Sequence, residues 1–316
     1  MARFQNILVG LDLHHGDRFT ADALEPASEA ALQQAVELAE VQGSKLTLCA
    51  CLDISEQAHH LIEIDTQNVN QTVEDLAAEE LERLAKKLQA QGLYVEKKLF
   101  FGKASEQLTR QAIRGEHDLV IVGTRKRSSA SRALFGSTCH RLLRICPVPV
   151  WVVKPEEVRE VREVLVASDF SDAALTAMQA AVAVAKALKA KLYVIHALEF
   201  AFEAYLQTAG VSETEVAGYR KKLHEEALSN LQQQLAQTDY RTIEHGVKVE
   251  VVEGTPDAAI PQFVDDKEID VLVIGTHGRS GFTGLLLGNT AERVLPHVHC
   301  SVIAIKPKDY VSPVKL

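Results

Sequence analysis

Asp270-Val271-Leu272-Val273-Ile274-Gly275-Thr276 restates Asp118-Leu119-Val120-Ile121-Val122-Gly123-Thr124: an acid, four branched apolar residues, a glycine and a threonine, 152 residues apart. The match continues on both sides. Asn6-Ile7-Leu8-Val9-Gly10-Leu11-Asp12 returns as Glu163-Val164-Leu165-Val166-Ala167-Ser168-Asp169 at an offset of 157, and the closing Lys154-Pro155 returns as Lys306-Pro307, again 152 apart. Two copies of one domain that differ slightly in length explain this spacing. The seam falls in the charged stretch between Pro155 and Arg162, giving domains of residues 1–156 and 157–316, each long enough for its own core.

Each heptapeptide reads as a strand, because continuous Val, Ile and Leu runs suit a sheet covered on both faces. In the first copy such runs lie at 6–11, 45–52, 94–101, 119–123 and 148–153. In the second they lie at 164–168, 191–198, 247–253, 271–275 and 302–305. Between them apolar residues recur at helical spacing, as in Leu175, Met178, Val182, Ala185 and Leu188, with Ser171 or Asp172 as N-cap. A helix over 28–41 is ended by Gly43, and the last helices cover 136–145 and 288–298. Strands alternating with helices place both copies in the α/β class, each a doubly wound parallel sheet.

The formal net charge of the 316 residues is −9, which argues against a nucleic-acid-binding surface as the main role. No apolar run is long enough to span a membrane. The five cysteines have no metal-type spacing; Cys49 and Cys51 are read as facing opposite sides of their strand, and an odd number of thiols fits a reducing, cytoplasmic setting.

In doubly wound sheets a ligand sits outside the carboxyl ends of the strands, where the winding reverses. Asp169 ends the first strand of the second copy. Ile274-Gly275 ends the fourth and leads into Thr276-His277-Gly278-Arg279-Ser280-Gly281, and Gly288-Asn289-Thr290 opens the next helix. Glycine permits close backbone approach, a helix start presents unpaired N–H groups, and His277 and Arg279 add positive charge; together these suit a phosphate. Strand-ending glycines also occur in many α/β proteins without a ligand, and the pattern is neither a P-loop nor a Rossmann fingerprint.

At these residues the chain resembles the universal stress protein family, whose nucleotide-binding members carry glycine, two residues, glycine, nine residues, glycine, then Ser or Thr. Gly275, Gly278 and Gly288 keep that spacing, with Asn289 in the last place and Thr290 after it. The first copy has Gly123, then Lys126 in place of the second glycine, then Gly136-Ser137. The resemblance implies the adenine-nucleotide alpha-hydrolase (HUP) type of sheet with strand order 3-2-1-4-5. It places the base beside Asp169 and Ala197 in the second copy, and beside Asp12 and Cys51 in the first. The phosphates run along Ile274, Gly275, His277, Gly278, Gly288, Asn289 and Thr290, or along Gly123, Lys126, Gly136 and Ser137 at a second, weaker site.

The implied function is that of a cytoplasmic stress-response protein that binds ATP, with or without magnesium, mainly in its second domain. It acts by binding rather than turnover; slow ATP hydrolysis is the most catalysis expected. A second copy of the chain or a regulatory protein is the expected macromolecular partner. Two other readings stand beside this one: a carrier of a larger apolar or lipid-linked ligand held between the halves, using Phe200, Ala201, Phe202 and Tyr205, and a scaffold with no ligand. His14-His15-Gly16-Asp17 lacks the last histidine of a nucleotidyl-transfer signature. His59-His60 has no evident partner, and His299 and Cys300 point to opposite sides and form no metal site.

Overall fold

The computed structural model describes residues 4–15, 18–19, 24–53, 72–124, 135–155, 160–200, 203–276 and 287–316. They divide into two compact units: the residues up to Glu160 together with Tyr310–Leu316, and Val161–Asp309.

The first unit holds strands β1 (Asn6–Leu11), β2 (Lys45–Leu52), β3 (Val95–Phe101), β4 (Leu119–Gly123) and β5 (Val150–Val153). Its helices are α1 (Pro26–Gln42), α2 (Val73–Ala90), α3 (Ala104–Arg114) and α4 (Ser137–Ile145). The second unit repeats the scheme with β6 (Glu163–Ala167), β7 (Lys191–Leu198), β8 (Val247–Glu253), β9 (Val271–Gly275) and β10 (Ser301–Ile305). Its helices are α5 (Asp172–Ala187), α6 (Glu203–Thr208), α7 (Glu213–Leu235), α8 (Pro256–Asp266) and α9 (Asn289–Val294). All pairings among these strands within each unit are parallel, and His14–His15 pairs antiparallel with Arg18–Phe19 as a separate two-stranded ribbon. The orders are β3-β2-β1-β4-β5 and β8-β7-β6-β9-β10, the 3-2-1-4-5 arrangement in both units.

The strand sequences explain their place. Ile7, Leu8, Val9, Val120, Ile121, Val164, Leu165, Val166, Leu272 and Val273 are buried completely, as central strands covered by helices on both faces must be. Right-handed crossovers put α1 and α2 on one face of the first sheet and α3 and α4 on the other; α5 and α7 against α8 and α9 repeat this in the second. The acid that opens each repeated heptapeptide has a structural task. Asp118 accepts the N–H groups of Gln5 (2.6 Å) and Asn6 (3.1 Å), and Asp270 accepts those of Arg162 (2.8 Å) and Glu163 (2.9 Å). Each carboxylate thereby pins the start of the neighbouring first strand. Two helix starts are closed by reciprocal capping boxes, Thr72 with Asp75 and Ser212 with Glu215.

Three sequence readings change. Cys49 and Cys51, two residues apart on β2, share a face, because strand side chains alternate with a period of two; the Cys49 thiol's hydrogen bond with Cys51, together with burial, raises the Cys49 pKa well above the ordinary thiol value. The last helix of the second unit is a six-residue α-helix continued by a 3-10 turn at Leu295–His297, where Pro296 has no N–H to donate. The fifth strands begin at Val150 and Ser301, so His299 and Cys300 precede β10; His299 is exposed and Cys300 buried. His59-His60 lies outside the described residues.

Candidate functional site

In the second unit the winding reverses between β6 and β9, which are neighbours. Their register ends with Ile274 opposite Ala167, and Ala167 in turn lies opposite Ile195 of β7. Ser168-Asp169, Ala197 and Gly275 therefore stand at, or one or two residues past, the last paired positions, together at the carboxyl edge of the sheet. Ile274 is a core residue at 3% exposure, so only its main chain is available at that edge.

Asp169 is exposed, and a turn holds its carboxylate. Oδ1 accepts the Ser171 N–H at 3.0 Å and the Ser171 hydroxyl at 2.5 Å, while the same hydroxyl accepts the Ala174 N–H at 3.2 Å and so caps α5. One short sequence, Ser168-Asp169-Phe170-Ser171, thus ends a strand, starts a helix and aims a carboxylate. Thr276 then locks the end of β9: its N–H (2.9 Å) and hydroxyl (3.1 Å) both donate to the Ile305 carbonyl. His277, Gly278 and Arg279 lie outside the described residues. The chain returns at Leu287, which is buried, and Gly288, which has φ +80° and ψ 136°. Asn289 and Thr290 follow with exposed side chains at the start of α9.

The first unit builds the same edge differently. The Asp12 N–H donates to the Ser28 hydroxyl at 2.8 Å, and that hydroxyl donates back to the Asp12 carbonyl at 3.3 Å, tying the strand end to α1. Cys51 is half-buried beside it. The Gly136 N–H donates to the Thr124 hydroxyl (3.3 Å) and the Cys139 thiol donates to the Gly123 carbonyl (3.4 Å). Burial pushes the Cys139 pKa up to about 12, so it stays a neutral thiol. Lys126 is outside the described residues. Ser137 is exposed.

The glycines of the two copies carry different burdens. A Cβ on Gly123 would fall 1.9 Å from the Ala27 carbonyl oxygen, so this glycine lets α1 dock against the end of β4. On Gly275 it would meet Ala173 and Ala174 only at 3.4–3.5 Å. The relation inverts at the later position: Gly288 occupies a left-handed backbone conformation, whereas Gly136 has φ −57° and open space around it.

A polar group that the motif reading passed over lies beside this edge. The Ser168 hydroxyl donates to Gln234 Oε1 at 2.6 Å and accepts the Phe170 N–H at 3.1 Å; His196 Nδ1 lies 2.8 Å from the Ser168 carbonyl, and the Phe170 and His196 rings stack at 4.3 Å. Phe170 has φ +66°. Because Gln234 is on α7 whereas Tyr193 touches Phe263 of α8, alternation along β7 puts His196 on the α7 face and Ala197 on the α8 face. The signal in the sequence was a difference between copies: Leu11 stands where the second copy has Ser168, and Ala50 where it has His196.

Among the described residues no helix is long and apolar enough to cross a membrane. Residues 3–154 and again 160–306 match the family described as the Universal stress protein family. Universal stress protein E of Salmonella typhi is 28% identical over 324 residues, covering 100% of this chain and 98% of that protein. Universal stress protein E of Photorhabdus laumondii is 25% identical over 334 residues, covering 100% and 99%. A solved structure of a functionally unknown protein from Pseudomonas aeruginosa PAO1 superposes with a TM-score of 0.67 at 25% identity, covering 97% of this chain and 94% of that one.

Proposed function

This chain belongs to the universal stress protein family, carrying the family domain twice, and from that premise we propose that it binds an adenine nucleotide, ATP, as a regulatory stress-response protein of the cytoplasm. The second unit is the preferred site. The observation that carries this reading is the combination at one sheet edge of Gly275, a held carboxylate at Asp169 and a left-handed Gly288 before α9, in a sequence that keeps the family's glycine spacing (Gly275, Gly278, Gly288). In this reading Asp169 and Ala197 face the adenosine, and main-chain N–H groups of the glycine segment face the phosphates, with Asn289 and Thr290 beside them. Asp169 already holds the turn into α5, which suits a group that orients a ligand by hydrogen bonding. A magnesium ion would be held chiefly by the phosphates and water, as this ion commonly is.

Calorimetric titration with ATP tests the proposal, using the wild type, Gly288→Ala and Gly136→Ala. A side chain forced into the Gly288 conformation costs about 1–3 kcal/mol, so Gly288→Ala weakens ATP binding by roughly tenfold or more while Gly136→Ala leaves it nearly unchanged. The reverse ranking removes the preference for the second unit. If ATP, ADP and AMP all fail to bind at millimolar concentration, the nucleotide reading fails. Native mass spectrometry of the purified protein then separates the remaining readings: a co-purifying acylated species supports a carrier, and a bare chain supports a scaffold.

A further inference from the structure

The segment Tyr310–Leu316 follows the second unit in the chain but packs as part of the first. The Tyr310 hydroxyl donates to the Arg144 carbonyl at 2.5 Å, the Ser312 hydroxyl donates to the Ile145 carbonyl at 2.7 Å, and Arg110 Nε donates to the Lys315 carbonyl at 2.9 Å. Arg144 and Ile145 are the last residues of α4, whose final carbonyls have no partner within the helix. The hydroxyls of the segment supply those partners, and α3 grips its far end through Arg110.

The burial pattern agrees. Tyr310, Ser312 and Val314 are half-buried, while Val311 (84% exposed), Pro313 and Lys315 face outward, the alternation of an extended segment laid on a surface. The Val314 N–H donates to the Ser312 hydroxyl at 3.2 Å, which fixes that side chain. Burial, with the Cys146 thiol beside it, raises the Tyr310 phenol above its ordinary value, so it remains a donor at any physiological pH.

We propose that residues 310–316 are a strap that completes the first unit, which reaches full stability only after this segment, made later than the whole second unit, has docked on α3 and α4. The strap makes the first unit's α4 conditional on a distant part of the chain. This is independent of whether either unit binds a nucleotide.

The chain has one tryptophan, Trp151, fully buried in β5, so its emission follows the first unit. Two variants test the strap: a chain ending at Asp309, and Tyr310→Phe combined with Ser312→Ala in the full-length chain. Loss of two hydroxyl–carbonyl bonds lowers the Trp151 melting midpoint by roughly 4–8 °C in the double variant, and by at least as much in the shortened chain. Amide exchange at Leu142–Cys146 speeds up by roughly 10–30-fold, while exchange in β6 and β9 does not change. An unaltered Trp151 midpoint with unaltered exchange in α4 overturns the proposal. So does an equal loss of protection in both units, because the segment would then support the chain generally and not the first unit.

Discussion

At the scale of single residues, the most telling contrast is between Gly123 and Gly275, which the repeat equates and the packing separates. The Ala27 main chain occupies the space a Cβ would need at Gly123, whereas Gly275 has ordinary contact distance to α5. Gly123→Ala therefore destabilises the first unit by about 3 kcal/mol or more, since backbone cannot yield as a flexible side chain can, while Gly275→Ala costs less than about 1 kcal/mol. Denaturant unfolding of the two variants checks this; equal losses would contradict it. His117 gives a second contrast. Burial lowers its pKa below the ordinary histidine value, more than its contact with the Gly115 carbonyl raises it. A folded pKa below the unfolded one means the neutral ring is favoured in the fold. The stability this contributes is present above about pH 6.5 and is lost as pH falls from there through the folded value. The equivalent residue of the second unit is Ile269, also buried. His117→Ile should thus flatten the decline in Trp151-monitored stability between about pH 7 and 5.5; an unchanged slope would show that another group causes it. Neither contrast was legible from residue identity, because both depend on what lies opposite in space.

At the scale of elements, the sequence was most informative where a recognisable capping residue closes a helix. Ser171 and Gly43 were readable because capping is local chemistry confined to a few neighbouring residues. The handover from α3 and α8 to the following strands was not. Each passes through a glutamate in the left-handed region, Glu116 and Glu268, both with φ 50°. For a residue with a Cβ that conformation costs about 1–2 kcal/mol, and the glycine usual at such a place would avoid it. Glu116→Gly and Glu268→Gly are accordingly expected to stabilise their units by about 1 kcal/mol each, net of the entropy that glycine adds to the unfolded chain. Thermal melts of the two single variants measure this, and a destabilisation in both would show that the glutamate side chains contribute contacts larger than the strain. The short α9 belongs to the same lesson. Helical spacing extended it to residue 298, but Pro296 and the passage into β10 tighten its last turn into a 3-10 helix.

For the molecule as a whole, the sequence by itself determined the duplication, the α/β class and the five parallel strands of each copy. These follow from apolar runs of strand length, their spacing and the strong handedness of parallel crossovers, all of which are local or generic. The resemblance carried by the glycine spacing added the 3-2-1-4-5 order, which the hydrogen-bonded strand pairs display in both units. Only the tertiary structure decided that Asp118 and Asp270 pin the starts of neighbouring strands. It alone showed that Gly123 makes room for α1, that Ser168, His196 and Gln234 join across the α7 face, and that residues 310–316 belong to the first unit. Each of these is a contact between residues far apart in the chain, set by how close two backbones come once packed, and no pattern along one dimension records that distance.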